Sequence, residues 1–448
     1  MNESATAILN PAPPAAPRRR DGLCGRVVRA ITDPFARDGL LSVFDQAVVS
    51  GTSFFTSVLI GRLCGKEDLG VYYLALSIVL FIRGVQEQVV SAPFAVFCHR
   101  LKERPLATYI GSLLLQQGAV MLVSMLGIAA FAGLVNAGFG PAGFESLAWV
   151  LIAAVPLMLL RESLRQLAFG RLSLKTAIAI DVAVAILQLG GLAALALGGE
   201  LTVGRAYLVM AVACGAAAAG WWLFRSERVC FDTSRFLPDW KQNWSFSKWA
   251  LSSHVVGCST PYILPWFVAA VDGTAATGVL AACSTLIGIA NAFTMGLGNY
   301  LTPKAARSYA NGGVPELRRV LVKTGLLFTV TVGGFAVASL FAGNVLAVAF
   351  YGDEYAGAGP ILAALAFALF ANSISVTAGN GLWAMGRPSA NFRADVCALI
   401  ATVIAALLLT PLYGVMGAAL SSLIGVTGDT AIRTGTLCRL MRRERGLP

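Results

Sequence analysis

Apolar runs long enough to cross a membrane follow one another from residue 40 almost to the C terminus. A helix of about 20 apolar residues spans the roughly 30 Å of hydrocarbon in a bilayer. The runs predict twelve such helices, at residues 40–61, 70–97, 107–134, 146–166, 177–198, 204–224, 247–270, 278–301, 322–343, 358–384, 394–411 and 414–436. The sequence therefore predicts an all-α, polytopic membrane protein, in which only a short turn at Pro411 separates the last two spans.

Basic residues lie almost entirely on one side of this predicted topology. Of the 34 Lys and Arg residues, 30 fall in the terminal segments or in every second loop, although the whole chain carries a net charge of +11. A positive balance can indicate attraction to nucleic acid. Here its distribution follows the positive-inside rule, which predicts cytoplasmic N and C termini and an even number of spans. We therefore expect no nucleic-acid partner.

Two pairs of segments repeat within the chain. The stretch "GVYYLALSI" at 70–78 matches "GVLAACSTL" at 278–286, and the pattern A-x-G-R-x-S begins at both Ala168 and Ala384. Each copy of that pattern is followed by an aspartate–valine pair, which starts at Asp181 in the first copy and at Asp395 in the second. Six spans per half predict parallel bundles related by a pseudo-two-fold axis along the membrane normal, an architecture typical of alternating-access transporters.

The repeat divides the chain into five predicted segments. These are a basic, largely disordered cytoplasmic tail (1–39), an N-terminal six-helix bundle (40–224), a cytoplasmic linker (225–246), a C-terminal six-helix bundle (247–436) and a basic cytoplasmic tail (437–448). The first tail is rich in Pro and Ala and lacks the apolar core of a signal peptide.

The stretch "FIRGVQEQVV" at 81–90 places charged residues near the middle of the second span. Arg83 and Glu87 are four residues apart, so they share a helix face with Gln86 nearby, whereas Gln88 points elsewhere and is expected to be a packing contact. Charged residues at this depth face a bundle interior or a water-filled path. If the face lines such a path, Arg83 and Gln86 would contact the substrate, while Glu87 would hold Arg83 or exchange an ion. Alternatively, Arg83 and Glu87 neutralise each other and tie the span to a neighbour.

The repeat places Asn291 at the position equivalent to Arg83. Asn291 and the small residues around it would either permit close helix packing or form an uncharged polar wall, and the charges of the pathway would lie in the N-terminal bundle. In the last span, Asp429 and Arg433 are four residues apart and are expected to form a local ion pair near the inner interface.

Three further charged residues have two interpretations each. Asp45 in the first span would either couple transport to an ion gradient or pair with an arginine of an inner loop. Arg161 and Arg165 would either gather an anionic lipid head at the cytoplasmic entrance or serve only to set the topology.

The sequence offers no pattern typical of a catalytic, cofactor or metal site. The nine cysteines include no CxxC pair, and the two histidines have no partners at ligand spacing. We therefore expect no metal, no cofactor, no disulfide and no enzymatic activity.

Several stretches resemble one known family. They are "GRLCGKEDLGVYYLALSI", "VSAPFAVF", "LRQLAFGRLSLKTAIAIDVAVAILQLGG", "FYGDEYAGAGPILAALA", "NGLWAMGRPSANF" and "PLYGVMGAAL", which together cover about residues 40–436. The chain resembles the polysaccharide transporter branch, the O-antigen-flippase-like proteins, of the multidrug/oligosaccharidyl-lipid/polysaccharide exporter superfamily. The lipid II flippases of that superfamily usually look like fourteen-span proteins, and the present chain lacks the extra pair.

This resemblance implies a transporter of the bacterial inner membrane. Its substrate would be an undecaprenyl-diphosphate-linked oligosaccharide used in polysaccharide biosynthesis, such as that of O-antigen and lipopolysaccharide. Arg83 would then bind the diphosphate of this substrate, and Gln86 its sugar hydroxyls. Membrane lipids and polysaccharide assembly proteins would be its partners.

Two other functions predict different features. A drug or cation antiporter of the same superfamily would have acidic residues in its cleft without a partner arginine. A membrane-embedded glycosyltransferase or polymerase would need a sizeable loop for its catalytic groups, whereas the longest outer loop here is the short segment "VNAGFGPAGFES".

Overall fold

The computed structural model describes residues 34–98, 103–141, 143–171, 173–224 and 229–444. All regular secondary structure within these ranges is helical, so the predicted all-α class is confirmed. Residues 1–33 of the predicted N-terminal tail and 445–448 of the predicted C-terminal tail lie outside the described residues.

Eleven α-helices follow one another along the described chain. They are α1 (Pro34–Leu63), α2 (Lys66–Gln86), α3 (Ala92–Phe97), α4 (Glu103–Asn136), α5 (Glu145–Gly170), α6 (Leu174–Leu197), α7 (Val203–Phe224), α8 (Thr233–Phe328), α9 (Gly334–Tyr351), α10 (Gly359–Ala384) and α11 (Pro388–Glu444). Two π-helical turns, Glu87–Ser91 and Thr329–Gly333, join α2 to α3 and α8 to α9. A short 3₁₀ turn, Asp353–Tyr355, precedes α10.

Glycines break the two longest helices. Gly273 and Gly313 in α8 and Gly414 in α11 have positive φ angles of 85°, 60° and 55°, a conformation that side chains with a Cβ rarely adopt. The breaks divide α8 into α8a (233–272), α8b (274–312) and α8c (314–328), and α11 into α11a (388–413) and α11b (415–444). The breaks at Gly273 and Gly313 fall between two predicted spans, and the break at Gly414 falls on the first residue of the last predicted span.

Eight helices among the described residues are long and apolar enough to cross a membrane. The continuous stretches Pro261–Tyr351 and Pro388–Glu444 each count once in that number although glycines break them. Helix α1, which contains the first predicted span, is not one of the eight. Helical structure also extends into predicted non-membrane segments, since α8 begins at Thr233 and α11 ends at Glu444.

The central helix α10 shows how these helices pack. Its buried face consists mainly of Gly, Ala, Ser and Thr, and it lies against α8, α9 and α11. A Cβ on Gly343 of α9 would lie 3.0 Å from the carbonyl oxygen of Gly359 at the start of α10. Small side chains allow such close approach, and dispersion contacts between closely packed helices replace the hydrophobic driving force that is absent in lipid.

Helix α2 packs along α8 through a reciprocal contact. A Cβ on Gly70 would lie 1.9 Å from the carbonyl oxygen of Thr274, and a Cβ on Gly278 would lie 1.9 Å from that of Lys66. Gly70 and Gly278 begin the first pair of repeated sequences, and Lys66 and Thr274 each precede their glycine by one helical turn. A contact in which each partner makes the same interaction is the signature of a local two-fold relation.

The contact between α2 and α8 continues beyond these glycines. Ser77 accepts a hydrogen bond of 2.8 Å from the indole nitrogen of Trp266, and a Cβ on Gly84 would lie 2.0 Å from Nε2 of His254. One hydrophobic cluster contains Leu69 and Tyr72 from α2 together with Ala281 and Cys283 from α8b. The two halves of the sequence therefore share a core.

Candidate functional site

A cluster of six charged side chains lies among α1, α2, α5 and α6. The N-terminal cluster comprises Asp45, Arg83, Arg161, Glu162, Arg165 and Asp181. With every group ionised, three carboxylates balance three guanidinium groups. Such balance lowers the free-energy cost of charges at membrane depth, where an unpaired charge is expensive.

Arg165 is the centre of this cluster. Its Nη2 donates to Asp45 Oδ2 at 2.7 Å, its Nε donates to Asp181 Oδ2 at 2.5 Å, and its Nη1 lies 3.5 Å from Glu162 Oε1. The guanidinium carbon also lies 4.8 Å from the centre of the Phe169 ring. Arg165 thereby links α5 to α1 and α6 while remaining buried.

The other two arginines share Glu162 and Asp181. Arg161 contacts Glu162 at 3.2 Å and donates a hydrogen bond to Asp181. Arg83 approaches Glu162 Oε1 at 3.5 Å, and its side chain is 35% exposed, compared with 13% for Arg161 and 9% for Arg165. Arg83 therefore has the longest contact and the greatest exposure of the three cations.

The positions of α2 residues differ from those expected from helix periodicity. Glu162 of α5, a tertiary neighbour, is the ion-pair partner of Arg83, while Glu87 is exposed at the start of the π-helical turn. Gln86, expected to line the pathway, is fully buried and donates a hydrogen bond of 3.3 Å to the carbonyl oxygen of Leu159. Gln88, expected to be the packing contact, is partly exposed. The physical reason is that α5 packs against the side of α2 that carries Gln86.

The structure also separates the alternatives for the remaining residues of the cluster. Asp45 pairs with Arg165, as in the second interpretation of this aspartate. Arg161 and Arg165 both point into the protein and contact carboxylates, and their role at a cytoplasmic entrance stays a prediction. Sequence alone missed Glu162 and the role of Asp181, although the repeat around Asp181 was a signal for the second.

A cavity of about 120 Å³ lies beside the N-terminal cluster, and Arg83, Arg161, Glu162 and Asp181 contribute to its wall. Gln188 also lines it and donates a hydrogen bond of 2.9 Å to the Thr56 hydroxyl. This volume has room for water molecules but not for a drug-sized ligand, which needs about 300 Å³ or more.

A second charged cluster lies between α10 and the two parts of α11. The C-terminal cluster comprises Ser375, Asp395, Asp429 and Arg433. Arg433 Nε donates to Asp429 Oδ1 at 2.9 Å and its Nη2 donates to Asp395, while the Ser375 hydroxyl donates to Asp429. Asp429 and Arg433 thus form the expected ion pair, but the pair extends to Asp395 from α11a.

The two clusters correspond through the repeat. Asp181 and Asp395 each lie about two turns beyond the start of a helix that follows A-x-G-R-x-S, and each contacts arginine. The partner arginines come from different helices, α5 in the first half and α11b in the second. The charges of the first half therefore have counterparts in the second half, which the matching of spans two and eight alone did not indicate.

Two larger cavities adjoin the C-terminal cluster. One has a volume of about 520 Å³ and is lined by Tyr73, Asn291, Asp395 and Arg433 among others. The second has a volume of about 350 Å³, and Asn291, Asn372, Val376 and Arg433 line both. Asn291 thus lies where the sequence placed it, on the wall of a polar space. Among the described residues, no three His, Cys, Asp or Glu side chains are arranged to hold a metal ion.

Comparison by sequence found neither a matching family model nor a matching curated protein. Comparison by structure found solved proteins with the same fold. An inward-facing multidrug resistance MATE family transporter of the MOP superfamily aligns with a TM-score of 0.74 and 12% identity, over 90% of the present chain and 96% of the other. The lipid II flippase MurJ in an inward closed conformation aligns with a TM-score of 0.72 and 14% identity, over 90% and 87%.

A third similar structure is a MOP superfamily transporter from Pyrococcus furiosus Vc1. It aligns with a TM-score of 0.65 and 13% identity, over 91% of the present chain and 96% of the other. Identities this low are evidence for shared fold and not for shared substrate. The chain therefore has the fold of the MOP superfamily transporters.

Proposed function

We propose that this chain is a transporter that flips a polyprenyl-diphosphate-linked oligosaccharide, or exports polysaccharide units, across the bacterial inner membrane by alternating access. The twelve helical segments separated by loops and glycine breaks would be its twelve spans, arranged as two six-helix bundles with cytoplasmic termini. The reciprocal contact of Gly70 and Gly278 supports the pseudo-two-fold relation of these bundles. The shared fold supports transport as the activity, while the choice of substrate rests on the site.

The observation that favours a lipid-linked substrate over a cationic drug is that the acidic residues lining the cavities are paired with arginines. Among the described residues that line the three cavities, each carboxylate contacts an arginine: Glu162 and Asp181 in the N-terminal cluster, and Asp395 and Asp429 in the C-terminal cluster. A cationic drug would have to displace an arginine from a partly buried pair, which is unfavourable. A cavity for cations was expected to contain unpaired acidic residues, and these cavities do not.

Arg83 is suited to bind the diphosphate. It is the most exposed arginine of the N-terminal cluster, and its only ion pair among the described residues is the long one with Glu162. If Arg83 turns toward a phosphate, Glu162 still contacts Arg161 and Arg165. No carboxylate is then left unpaired, and the planar guanidinium presents its donors to phosphate oxygens.

The C-terminal cavities are suited to the sugar part of the substrate. Their volumes fall in the range of about 300–1,000 Å³ that is typical of small-molecule sites. Asn291 contributes an uncharged amide to both. Amides offer both donors and acceptors to hydroxyl groups that lose water during the crossing.

Asp45 and Glu87 are the candidates for coupling to an ion gradient. The buried Oδ1 of Asp45 has no hydrogen-bond partner among the described residues, which leaves an acceptor for a proton or a small cation. Asp45 is the better placed of the two, because it is buried within the N-terminal cluster whereas Glu87 is exposed.

Transport by the purified full-length protein in liposomes tests this proposal. The first probe is a polyprenyl diphosphate that carries a fluorescent N-acetylhexosamine, and its movement between leaflets is followed by quenching from outside. The second probe is ethidium, offered with an imposed proton or sodium gradient. We expect movement of the lipid-linked sugar without accumulation of ethidium, whereas gradient-driven accumulation of ethidium without lipid movement would identify an antiporter and refute the proposal.

Variants connect the activity to Arg83. Arg83→Ala should reduce lipid movement about tenfold or more, because a charged hydrogen bond to phosphate contributes roughly 1.5–3 kcal/mol. Arg83→Lys should retain part of the activity because it keeps the charge but loses the fork. Arg205→Ala is the matched control, since Arg205 is exposed in the first turn of α7 and pairs with Glu200. Equal activity of all three variants would exclude Arg83 from the pathway.

A further inference from the structure

The smaller of the two C-terminal cavities, of about 350 Å³, contains polar groups that the proposed diphosphate site does not use. Its wall is formed by the ends of α8b, α10 and α11b on the side of the molecule where Trp383 lies. The polar and aromatic residues that line it are Asn291, Thr294, Thr302, Asn372, Asn380, Trp383 and Arg433. The cavity therefore combines amides, hydroxyls, one guanidinium and an indole ring.

Two amide groups in this wall have unused hydrogen-bonding capacity. The side chains of Asn291 and Asn372 are partly buried, and neither makes a hydrogen bond to another described residue. Asn380, in contrast, accepts from the Thr302 hydroxyl at 2.5 Å and donates to the carbonyl oxygen of Val376 at 2.9 Å. Unpaired amides in a partly buried cavity favour a ligand that supplies both donors and acceptors.

Arg433 adds a third unused donor. Its Nε and Nη2 are taken by Asp429 and Asp395, whereas Nη1 has no hydrogen bond to a described residue. Nη1 lies 2.6 Å from the position that a Cβ on Gly379 would occupy, so the absence of a side chain there makes room for the guanidinium. Because two carboxylates already compensate its charge, Arg433 acts toward the cavity as a hydrogen-bond donor more than as an anion trap.

Trp383 provides the apolar surface of the cavity. It lies three residues after Asn380 on the same face of α10, and it is 61% exposed. The ring of a pyranose has an apolar face of C–H groups and an edge of hydroxyls. An indole packs against the first, while amides and a guanidinium bind the second.

We propose that this cavity is a saccharide subsite, in which Trp383 packs against one pyranose ring and Asn291, Asn372 and Arg433 Nη1 bind its hydroxyl or acetamido groups. The inference rests on the proposed function and names where the sugar of the lipid-linked substrate binds. It separates the substrate into a diphosphate held at Arg83 in the first half of the chain and a sugar held in the second half.

Binding of two probes to the full-length protein in detergent tests the subsite. One probe is farnesyl diphosphate, and the other is farnesyl diphosphate linked to N-acetylglucosamine. Wild-type protein should bind the sugar-bearing probe more tightly. Asn372→Ala, which loses a polar contact, and Trp383→Ala, which loses the ring contact, should each weaken the binding of that probe about tenfold, which corresponds to about 1.4 kcal/mol. Neither variant should change the affinity for farnesyl diphosphate.

Control variants separate sugar binding from a membrane-anchoring role, because exposed tryptophans also occur at membrane interfaces. Trp222→Ala removes an exposed tryptophan near the end of α7, away from the cavities, and should change neither affinity. Trp383→Phe keeps an aromatic face and should retain most of the preference for the sugar-bearing probe.

Four results would overturn the subsite, and they differ in what else they affect. Equal binding of both probes by wild-type protein, or variants that weaken both probes alike, contradicts the subsite alone. If folded Asn372→Ala and Trp383→Ala bind the sugar-bearing probe with wild-type affinity, the subsite alone is likewise contradicted. If wild-type protein binds neither probe, the subsite and the proposed function fail together.

Discussion

Removal of Arg165 should reveal how strongly the N-terminal cluster holds the helices together. Its guanidinium contacts Asp45 of α1, Glu162 of α5 and Asp181 of α6, and its side chain is 9% exposed. Arg165→Met removes the charge but keeps most of the side-chain length. Asp181 and Glu162 then retain Arg161, whereas Asp45 loses its only ion pair among the described residues.

The expected loss of stability follows from this uncompensated carboxylate. Removal of one partner from a buried ion pair typically costs about 3–5 kcal/mol. Protonation of Asp45 would recover part of that cost. Asp45→Asn in the same chain removes the charge outright, so the double variant should be destabilised by roughly 1–2 kcal/mol less than the sum of the two single variants, a coupling typical of contacting residues.

Unfolding of the four proteins in mixed detergent micelles, followed by circular dichroism, measures this coupling. Arg205→Met is the matched control, because the Arg205–Glu200 pair is 2.8 Å long but 49% and 63% exposed, and such pairs contribute about 0–1 kcal/mol. Additivity of Asp45→Asn and Arg165→Met within about 0.5 kcal/mol would refute the reasoning. So would an effect of Arg165→Met no larger than that of the control.

Three other predictions concern separate parts of the molecule. Gly70→Ala should destabilise the protein by about 1–3 kcal/mol, because its Cβ would meet the carbonyl oxygen of Thr274. Gly118→Ala is the control and should leave the stability unchanged, because its Cβ would meet nothing within 4 Å. Thermal unfolding in detergent compares the two variants. Asp429→Asn should weaken the hold on Arg433 and reduce lipid movement in liposomes, with Asp353→Asn, outside the cavities, as the unaffected control. The hydroxyl and backbone N–H of Ser234 donate to the capping residue Asp232 and lower its pKa. The cap should therefore stabilise the start of α8 above a pH of about 4 and lose this effect as the pH falls through the lowered pKa. Asp232→Asn should abolish this pH dependence of amide exchange at the start of α8, and an unchanged exchange profile would contradict the role of the cap.

Helical class and helix positions could be predicted from the sequence because their causes are local. The breaks at Gly273 and Gly313 fall between predicted spans, and the break at Gly414 falls at the start of the last one. The repeated segments indicated in advance that Gly70 and Gly278 occupy related positions. The number of spans and their arrangement as two bundles stay predictions.

The candidate site was less predictable. Helix periodicity paired Arg83 with Glu87 and assigned Gln86 to the pathway, whereas Arg83 pairs with Glu162 and Gln86 is buried. Periodicity describes which residues share a face of one helix, but it contains no information on which neighbour packs against that face.

The sequence by itself determined that the chain is helical, apolar and internally repeated. Hydropathy depends on neighbouring residues, and repeats can be read from the order of residues without knowing which helices touch. Only the tertiary structure decided which arginine neutralises which carboxylate. Asp45, Arg165 and Asp181 come from three helices, and Asp395 and Arg433 from two parts of another. Charges at membrane depth must find partners wherever packing brings them within a few ångströms, so their pairing depends on the arrangement of whole helices.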